Sequence, residues 1–149
     1  MMNYTHVQTL KDSDTRFSKR YLDFICNPHL KTFFYKRANL IQEVWNILNN
    51  EGYIEVETPM LNAKAGGALA TPFKTHAKEL DEDLELWISP ELYLKQLLIG
   101  GFEKVYELGK VFWNEGIDGT HNPEFTMLEF YQAFGSSGSM KETTEKIIR

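Results

Sequence analysis

Two segments with a two-residue repeat constrain the fold of this chain most strongly. Residues 104–113 and 124–134 direct successive side chains to alternate faces, as β-strands do, and both are rich in aromatic or β-branched residues. The loop between them begins NEGIDGTHNP, a stretch of turn-forming residues. The pattern predicts a β-hairpin. Together with the helical segments described below, it predicts an α+β fold with a mainly antiparallel sheet flanked by helices.

The second strand of this hairpin places a carboxylate among aromatic rings. Its odd-numbered residues carry Glu129 between Phe125 and Tyr131, whereas its even-numbered residues, from Thr126 to Phe134, form a core face. Such a carboxylate must meet a cation or hydrogen-bond donors, because burying it unpaired costs several kcal/mol. If the odd faces of both strands lie together, one floor contains Glu107, Glu115, Phe125, Glu129 and Tyr131.

An acidic floor with aromatic walls suits a ligand that carries an ammonium group. Gly109, in the first strand, would leave that floor open to a ligand lying close to the backbone. The residues alone leave another interpretation open, in which the carboxylates pair with Lys or Arg from elsewhere in the fold. They also favour simple roles for His121 as an exposed loop histidine, Lys95 as a surface lysine and Gly67 as part of a turn.

Helix and turn signals account for most of the remaining chain. Residues 31–51 repeat apolar side chains at three- and four-residue intervals, which predicts a helix ended by Gly52. Residues 53–58 then predict a strand stopped at Pro59. The other predicted elements are short strands at 71–75 and 84–88, a helix from 89–91 to 100–101, and the start of a helix at 139–149.

Composition excludes several classes of protein. Of the 149 residues 42% are hydrophobic, enough for a packed core, and no apolar run approaches the roughly 20 residues that cross a bilayer. The one cysteine, Cys26, excludes an internal disulfide and a cysteine-rich zinc site. The net charge of −5 does not attract nucleic acid, and the acidic run at 79–85 is typical of a solvated surface. Because the amino terminus lacks a secretory signal, we expect a cytoplasmic protein without membrane association, with a mitochondrial location as the alternative.

Several blocks of the sequence, in order, resemble class II lysyl-tRNA synthetases. Residues 102–134, FEKVYELGKVFWNEGIDGTHNPEFTMLEFYQAF, strongly resemble motif 2 of that family. Residues 37–61, RANLIQEVWNILNNEGYIEVETPML, resemble its motif 1. GGALATPF at 66–73 and WISPELYLKQLLIGG at 87–101 are similar to its amino-acid-binding segments. Residues 10–27 are similar to the segment that leads into its catalytic domain.

The resemblance implies an enzyme that activates L-lysine with ATP and Mg²⁺, through lysyl-adenylate, and transfers it to tRNA(Lys) in protein biosynthesis. Such a protein mainly positions the reactants and neutralises phosphate charge. The resemblance also implies a homodimer formed through motif 1, which contains Arg37 and Pro59. It implies Gly67 and Glu91 at the α-ammonium of lysine, Glu129 and Tyr131 at its ε-ammonium, and Phe125 stacked on adenine. The candidate catalytic residues around ATP are Glu115, His121 and Asn122.

Two departures from the family pattern bear on activity. The family reads F-R-N-E-G where this chain has Trp113 after Phe112, and tryptophan offers one neutral donor in place of a bidentate guanidinium. Loss of one such group typically slows a reaction by about 100- to 1000-fold. The chain also contains no G-x-G-x-G-x-x-R segment, the family's motif 3. We therefore expect that the chain alone forms no lysyl-adenylate and that Trp113→Arg restores little.

The domain boundaries follow from the same resemblance. Residues 1–30 would lead in from an anticodon-binding OB-fold that the chain lacks, and residues 31–149 would be the amino-terminal part of the catalytic domain in a truncated form. Three alternatives remain open: a non-catalytic dimerisation or interaction module, a ligase that attaches lysine to a translation factor, and an aspartyl- or asparaginyl-type enzyme. Glu129 and Tyr131, placed for an ammonium group, disfavour the last of these.

Overall fold

The longest helix, α3 (Lys31–Asn50), contains the boundary between two compact units of the chain. The computed structural model describes residues 10–149, and the two units divide between Trp45 and Asn46. The predicted helix at 31–51 is therefore confirmed, and Gly52, with a φ of 82°, follows it in the left-handed region. No helix within the described residues combines the length and the apolar character that a membrane span requires.

Short helices precede α3 in the first unit. These are α1 (Ser13–Ser18), α2 (Arg20–Cys26) and a 3₁₀ turn (Pro28–Leu30), in a segment for which the sequence predicted only a lead-in. Asp12 caps α1 by accepting a hydrogen bond from the Thr15 N–H at 2.8 Å. The segment is thus built from ordered helical turns.

A buried carboxylate, that of Asp23, ties these turns together. It accepts hydrogen bonds from Arg16 Nε at 2.9 Å and from Arg20 Nη1 at 2.6 Å. Burial opposes ionisation of this group, but the side chains of Asn27, Arg16 and Arg20 outweigh that effect and hold the pKa of Asp23 below its usual value. The two arginines in this segment therefore have a structural role.

The second unit contains two three-stranded sheets. Its elements, in chain order, are β1 (Ile54–Glu55), β2 (Leu61–Asn62), β3 (Lys74–Ala77), β4 (Glu82–Leu86), α4 (Glu91–Ile99), β5 (Lys104–Phe112), β6 (Glu124–Gln132) and α5 (Ser137–Ile148). One sheet has the order β1-β5-β6, in which β1 is parallel to β5 and β5 antiparallel to β6. The other has the order β2-β4-β3 and is antiparallel throughout. The predicted α+β class with mainly antiparallel pairing is confirmed.

The predicted hairpin is the longest strand pair of the molecule's described part. β5 and β6 pair along their whole lengths, and the register sets Glu107 opposite Glu129, so that the two odd-numbered faces coincide as expected. However, β6 ends at Gln132. Phe134 is fully exposed with a φ of 55°, because the chain turns there towards α5. The prediction that Phe134 belongs to the core face was wrong.

The shorter strands differ from their predicted bounds. The strand expected at 53–58 is reduced to β1, and those expected at 71–75 and 84–88 are displaced to β3 and β4. β4 ends at Leu86. The next residue, Trp87, still donates its backbone N–H to the Met60 carbonyl at 2.8 Å, and its side chain is 1% exposed. The buried apolar residues of this unit are Leu48, Tyr53, Trp87, Ile88, Leu94, Val105, Tyr106 and Val111.

Candidate functional site

Near the end of β6, Glu129 has a hydrogen-bond donor on each carboxylate oxygen. Ser89 Oγ donates to Oε1 at 2.6 Å, and the Tyr131 hydroxyl donates to Oε2 at 2.9 Å. Within residues 10–149, no Lys, Arg or His forms an ion pair with this carboxylate. Two neutral donors orient the negative charge without neutralising it, an arrangement that favours binding of a cation.

Tyr131 is held in its protonated form. The pKa of the Tyr131 hydroxyl lies well above its usual value of 10.0, mainly because the group is buried. The hydrogen bond to Glu129 and the negative charges of Glu129 and Glu91 raise this pKa further. The hydroxyl therefore remains a donor throughout the physiological pH range.

Ser89 connects Glu129 to the start of α4. Its Oγ accepts the Glu91 N–H at 3.0 Å while donating to Glu129. Gly67 packs against the same turn with a φ of 89°, and a Cβ at this position would lie 3.0 Å from Glu91 Cβ and 3.1 Å from Ser89 Oγ. Glycine is required there by both the backbone conformation and the space. Gly67 and Glu91 thus lie side by side, and Ser89 joins Glu91 to Glu129.

A cavity of about 340 Å³ lies along β6 beside these groups. Its lining includes Glu91, Glu129 and Tyr131, with Leu128, Phe130 and Met140. Because successive strand residues point to opposite faces, a cavity lined by four consecutive residues of β6 wraps around the edge of this strand. Its volume falls in the range of roughly 300–1,000 Å³ that is typical of small-molecule sites.

Lys95 pairs with one of the carboxylates. Its Nζ lies 2.5 Å from Glu91 Oε1 and 6.0 Å from the centroid of the Tyr131 ring, although its side chain is 53% exposed. Glu91 lies outside the predicted floor, and within the described residues no ion pair joins the floor carboxylates Glu107, Glu115 and Glu129 to a Lys or Arg. The i, i+4 spacing of Glu91 and Lys95 on a predicted helix was the signal for this pair.

Glu107 is satisfied separately from Glu129. Its oxygens accept hydrogen bonds from the Thr58 N–H at 3.0 Å and the Thr58 hydroxyl at 2.8 Å. Burial raises the pKa of Glu107, the two Thr58 hydrogen bonds partly offset this, and the charges of Glu57 and Glu129 raise it further. Glu107 fastens the segment after β1 to β5 and lines a cavity of about 230 Å³ with Thr58.

Gly109 packs against Trp87 and also lines the 230 Å³ cavity with Glu107. A Cβ at Gly109 would lie 3.5 Å from the indole of Trp87, which occupies the space above the glycine. The Trp87 Nε1–H donates to the Lys110 carbonyl at 2.6 Å, which fixes the ring there. The opening of the floor at Gly109 to a ligand stays a prediction.

The loop after β5 and the start of β6 enclose a larger cavity of about 480 Å³. Phe125 and Trp113 form an aromatic corner in its wall, with ring centroids 5.0 Å apart and an interplanar angle of 89°. Glu115 lines the same cavity and is anchored by the Thr71 N–H, which donates to its Oε1 at 3.1 Å. The other candidates that line this cavity are His121 and Asn122.

Asp118 orients His121 within this loop. The His121 Nδ1 lies 2.8 Å from both carboxylate oxygens of Asp118. The pKa of Asp118 is lowered by hydrogen bonds from the Thr120 N–H, from the side chains of His121 and Thr120, and from the His121 N–H. The sequence interpretation missed Asp118, and its position three residues before His121 was the available signal.

Trp113 has no donor left for a ligand. Its only polar hydrogen, on Nε1, is donated to the Ile88 carbonyl at 2.8 Å. The residue therefore contributes an aromatic wall to the 480 Å³ cavity and no charge.

The five residues predicted to share one floor are thus distributed over three cavities. Glu129 and Tyr131 line one, Glu115 and Phe125 another, and Glu107 a third. Arg37 on α3 and Pro59 after β1 are exposed in the single chain, and neither is among the residues that line these three cavities. Over residues 10–149 there is no group of three or more His, Cys, Asp and Glu side chains that could hold a metal ion.

Comparison with known proteins identifies the class to which this architecture belongs. Residues 12–149 match the family described as tRNA synthetases class II (D, K and N), and the chain belongs to that family. Within it, the chain is 52% identical over 139 residues to the lysine–tRNA ligase of Syntrophomonas wolfei and, over the same length, to that of Clostridium acetobutylicum. It is equally similar to a protein of Encephalitozoon cuniculi named as a probable cytoplasmic lysine–tRNA ligase.

These alignments cover most of this chain and a smaller part of its relatives. They include 93% of the chain, 28% of the Syntrophomonas protein and 27% of the other two. The chain therefore spans less than a third of the length of the curated relatives that it matches, and the predicted resemblance to class II lysyl-tRNA synthetases is confirmed at the level of family.

Proposed function

We propose that this chain forms the lysine-binding part of a class II lysine–tRNA ligase catalytic domain. The single observation that carries the proposal is the carboxylate of Glu129, which is oriented by two neutral donors and is not paired with a cation among the described residues. In this proposal residues 31–149 are the amino-terminal part of the catalytic domain and residues 1–30 lead into it.

The ε-ammonium of lysine would bind at Glu129. The carboxylate supplies the charge, and the Tyr131 hydroxyl, held as a donor to Glu129, fixes the direction of the carboxylate and adds an aromatic wall. The α-ammonium would bind at Glu91 beside Gly67, where Lys95 now pairs with the carboxylate. The α-ammonium of lysine would therefore displace the Lys95 ammonium from Glu91.

Calorimetric titration of the chain with L-lysine and with L-norleucine tests this proposal. Norleucine has the same backbone and carbon chain but no ε-ammonium. Because a hydrogen bond to a charged group is worth about 1.5–3 kcal/mol, we expect lysine to bind about 10- to 100-fold more tightly. Equal affinity for the two amino acids would contradict an ammonium site at Glu129.

The family resemblance further implies that lysine is activated with ATP and passed to tRNA(Lys). In that reaction an oxygen of the lysine carboxylate attacks the α-phosphate, pyrophosphate leaves, and the adenylate then reacts with the tRNA 3′ end. Phe125 would stack on adenine, and Glu115, His121 and Asn122 would surround the nucleotide. The resemblance also implies Mg²⁺, for which residues 10–149 provide no preformed cluster of ligands.

The phosphate side of this arrangement fits ATP poorly. Trp113 occupies the motif 2 position of an arginine and has already donated its N–H to Ile88. We therefore expect lysine-dependent exchange of pyrophosphate into ATP to be undetectable with this chain. Trp113→Arg should restore little of this exchange. Detectable lysine-dependent exchange by this chain would contradict this expectation.

We also propose that the chain forms a homodimer through α3 and the segment up to Pro59. Leu40 on α3 is 64% exposed, and Phe33 and Tyr35 are exposed to a similar degree, so this helix presents apolar surface in the single chain. Arg37 lies on the same helix. A non-catalytic dimerisation module is the second candidate function, favoured by Trp113.

Of the remaining alternatives, a ligase that attaches lysine to a translation factor would use the same lysine site and differ in its acceptor. The relatives' names favour tRNA. The cytoplasmic name of the Encephalitozoon relative supports the same location here, with a mitochondrial role as the alternative.

A further inference from the structure

The loop that contains Gly67 is anchored to the neighbouring sheet by a carboxylate. This loop joins β2 to β3, and near its start the Ala65 N–H donates to Glu85 Oε2 at 2.8 Å. Glu85 belongs to β4, the central strand of the sheet β2-β4-β3. In the register of that sheet, Asn62 of β2 is opposite Glu85 on one side and Lys74 of β3 on the other. Glu85 therefore lies between the two strands that the loop connects.

The backbone of the loop is the main partner of the Glu85 carboxylate, whose side chain is 20% exposed. Lys74 Nζ lies 3.8 Å from the other oxygen, Oε1, but the lysine side chain is 77% exposed, and exposed ion pairs contribute little stability. The hydrogen bond from the Ala65 N–H is shorter, and its charged acceptor makes it stronger than a bond between neutral groups. Glu85 therefore acts mainly on the loop.

A displacement of Ala65 would be transmitted to Gly67, because the two glycines that follow Ala65 pack tightly on the first turn of α4. A Cβ at Gly66 would lie 2.9 Å from Leu92 Cδ1. A Cβ at Gly67 would lie 3.0 Å from Glu91 Cβ. Closely packed groups transmit displacements to their neighbours. The position of the Gly67 backbone beside Glu91 therefore depends on where the loop is anchored at Ala65.

We infer that Glu85 is a positioning residue of the α-ammonium subsite, which acts by holding residues 65–67 against the first turn of α4. The inference rests on the proposed function, in which the α-ammonium of lysine binds at Glu91 beside Gly67. In this role Glu85 contacts the loop backbone and not the ligand. The ε-ammonium site at Glu129 has its own hydrogen-bond donors and does not depend on this contact.

Calorimetric titration with L-lysine and with 6-aminohexanoic acid tests this role, because the second ligand is lysine without its α-amino group. Glu85→Ala removes the acceptor of the Ala65 N–H. We expect this substitution to weaken lysine binding about 5- to 10-fold and to change the affinity for 6-aminohexanoic acid by less than about twofold. Equal losses for the two ligands, or no loss for lysine, would overturn the inference.

Two further variants separate the hydrogen bond from the charge. Glu85→Gln keeps an oxygen that can accept the Ala65 N–H, so its lysine affinity should stay within about threefold of that of the unaltered chain. Asp83→Ala is the matched control, since Asp83 lies on the same face of β4 and contacts His76 instead of the loop. It should leave both affinities unchanged. A loss in Glu85→Gln or Asp83→Ala as large as that in Glu85→Ala would overturn the inference.

Trypsin cleavage after Lys64 reports on the loop without any ligand, because this exposed lysine directly precedes Ala65. Cleavage after Lys110, within β5, reports unfolding of the hairpin and serves as the reference. We expect Glu85→Ala to raise the ratio of the two cleavage rates about fivefold, and Glu85→Gln to leave it nearly unchanged. An unchanged ratio in Glu85→Ala would overturn the inference whether or not lysine binds.

These measurements distinguish failure of the inference from failure of the proposed function. Lysine binding that Glu85→Ala leaves unchanged overturns only the inference. Faster cleavage after Lys64 in Glu85→Ala, with no lysine binding by the unaltered chain, supports the anchoring of the loop by Glu85 and contradicts the proposed function.

Discussion

Glu107 and Glu129 lie directly opposite each other on β5 and β6, where two negative charges repel. The two carboxyl groups differ in burial and in their hydrogen-bond donors. Glu129 is half-buried and has neutral donors on both oxygens, whereas Glu107 is only 4% exposed and its pKa is raised by burial. The shift has a definite consequence for stability. A carboxyl group whose pKa is higher in the folded than in the unfolded chain contributes stability that is complete below the unfolded pKa and is lost as pH rises through the folded one.

We therefore expect the free energy of unfolding of the unaltered chain, relative to that of Glu107→Gln, to fall as pH rises above about 4.5, the usual value for this group. Urea unfolding of both proteins between pH 4 and pH 8 measures this difference. Repeating the comparison in a Glu129→Gln background should make the fall shallower, since one of the negative charges that raise the pKa of Glu107 is removed. A relative stability that rises with pH would contradict the assignment.

The candidate-site residues that share one face of a strand could be predicted from the sequence, but their hydrogen-bond partners could not. The two-residue repeat was enough to group Glu129 with Tyr131, because parity along a strand is local. Ser89 and Thr58 reach their carboxylates over sequence separations of 40 and 49 residues. Those contacts depend on how α4 and the segment after β1 pack on the hairpin, and no local pattern encodes that packing.

The first turns of α4 and α5 are each stabilised by a serine side chain, and the two serines can be compared. Ser89 at the start of α4 and Ser136 at the start of α5 both accept a backbone N–H from the first turn, but only Ser89 also donates to Glu129. We expect Ser89→Ala and Ser136→Ala each to lower the free energy of unfolding by about 1 kcal/mol. Only Ser89→Ala should also weaken lysine binding, by about 5- to 10-fold, because one oxygen of Glu129 loses its donor.

Thermal unfolding and lysine titration of both variants test this prediction. An equal effect of the two substitutions on lysine affinity would show that Ser89 contributes only to the turn that starts α4.

Helices and strands could be predicted from the sequence where their hydrophobic periodicity extends over many residues. The hairpin and α3 extend over many residues, so their periodicities are unambiguous. β1 has two residues and β3 has four, and their bounds are set by which strand lies opposite and not by their own sequence. α1 and α2 are held partly by Asp23 with Arg16 and Arg20, a tertiary cluster without a periodic signal.

At the level of the whole molecule, the exposed apolar surface of α3 bears on assembly. We expect the chain to sediment as a dimer at micromolar concentration and Leu40→Asp to sediment as a monomer, since the substitution places a charge in an apolar interface. Gln42→Asp adds the same charge to the same helix at an exposed polar position and serves as the control. Analytical ultracentrifugation distinguishes these outcomes, and a monomeric unaltered chain or a dimeric Leu40→Asp would contradict the proposed interface.

The measurement that tests the central claim most directly is a thermodynamic cycle, in which the affinities of two proteins for two ligands are compared. Calorimetry would give the affinities of the unaltered chain and of Glu129→Gln for L-lysine and L-norleucine. If Glu129 holds the ε-ammonium, the substitution weakens lysine binding by about 10- to 100-fold and changes norleucine binding by less than about twofold. An equal loss for both ligands, or no loss for either, would contradict the account of this site.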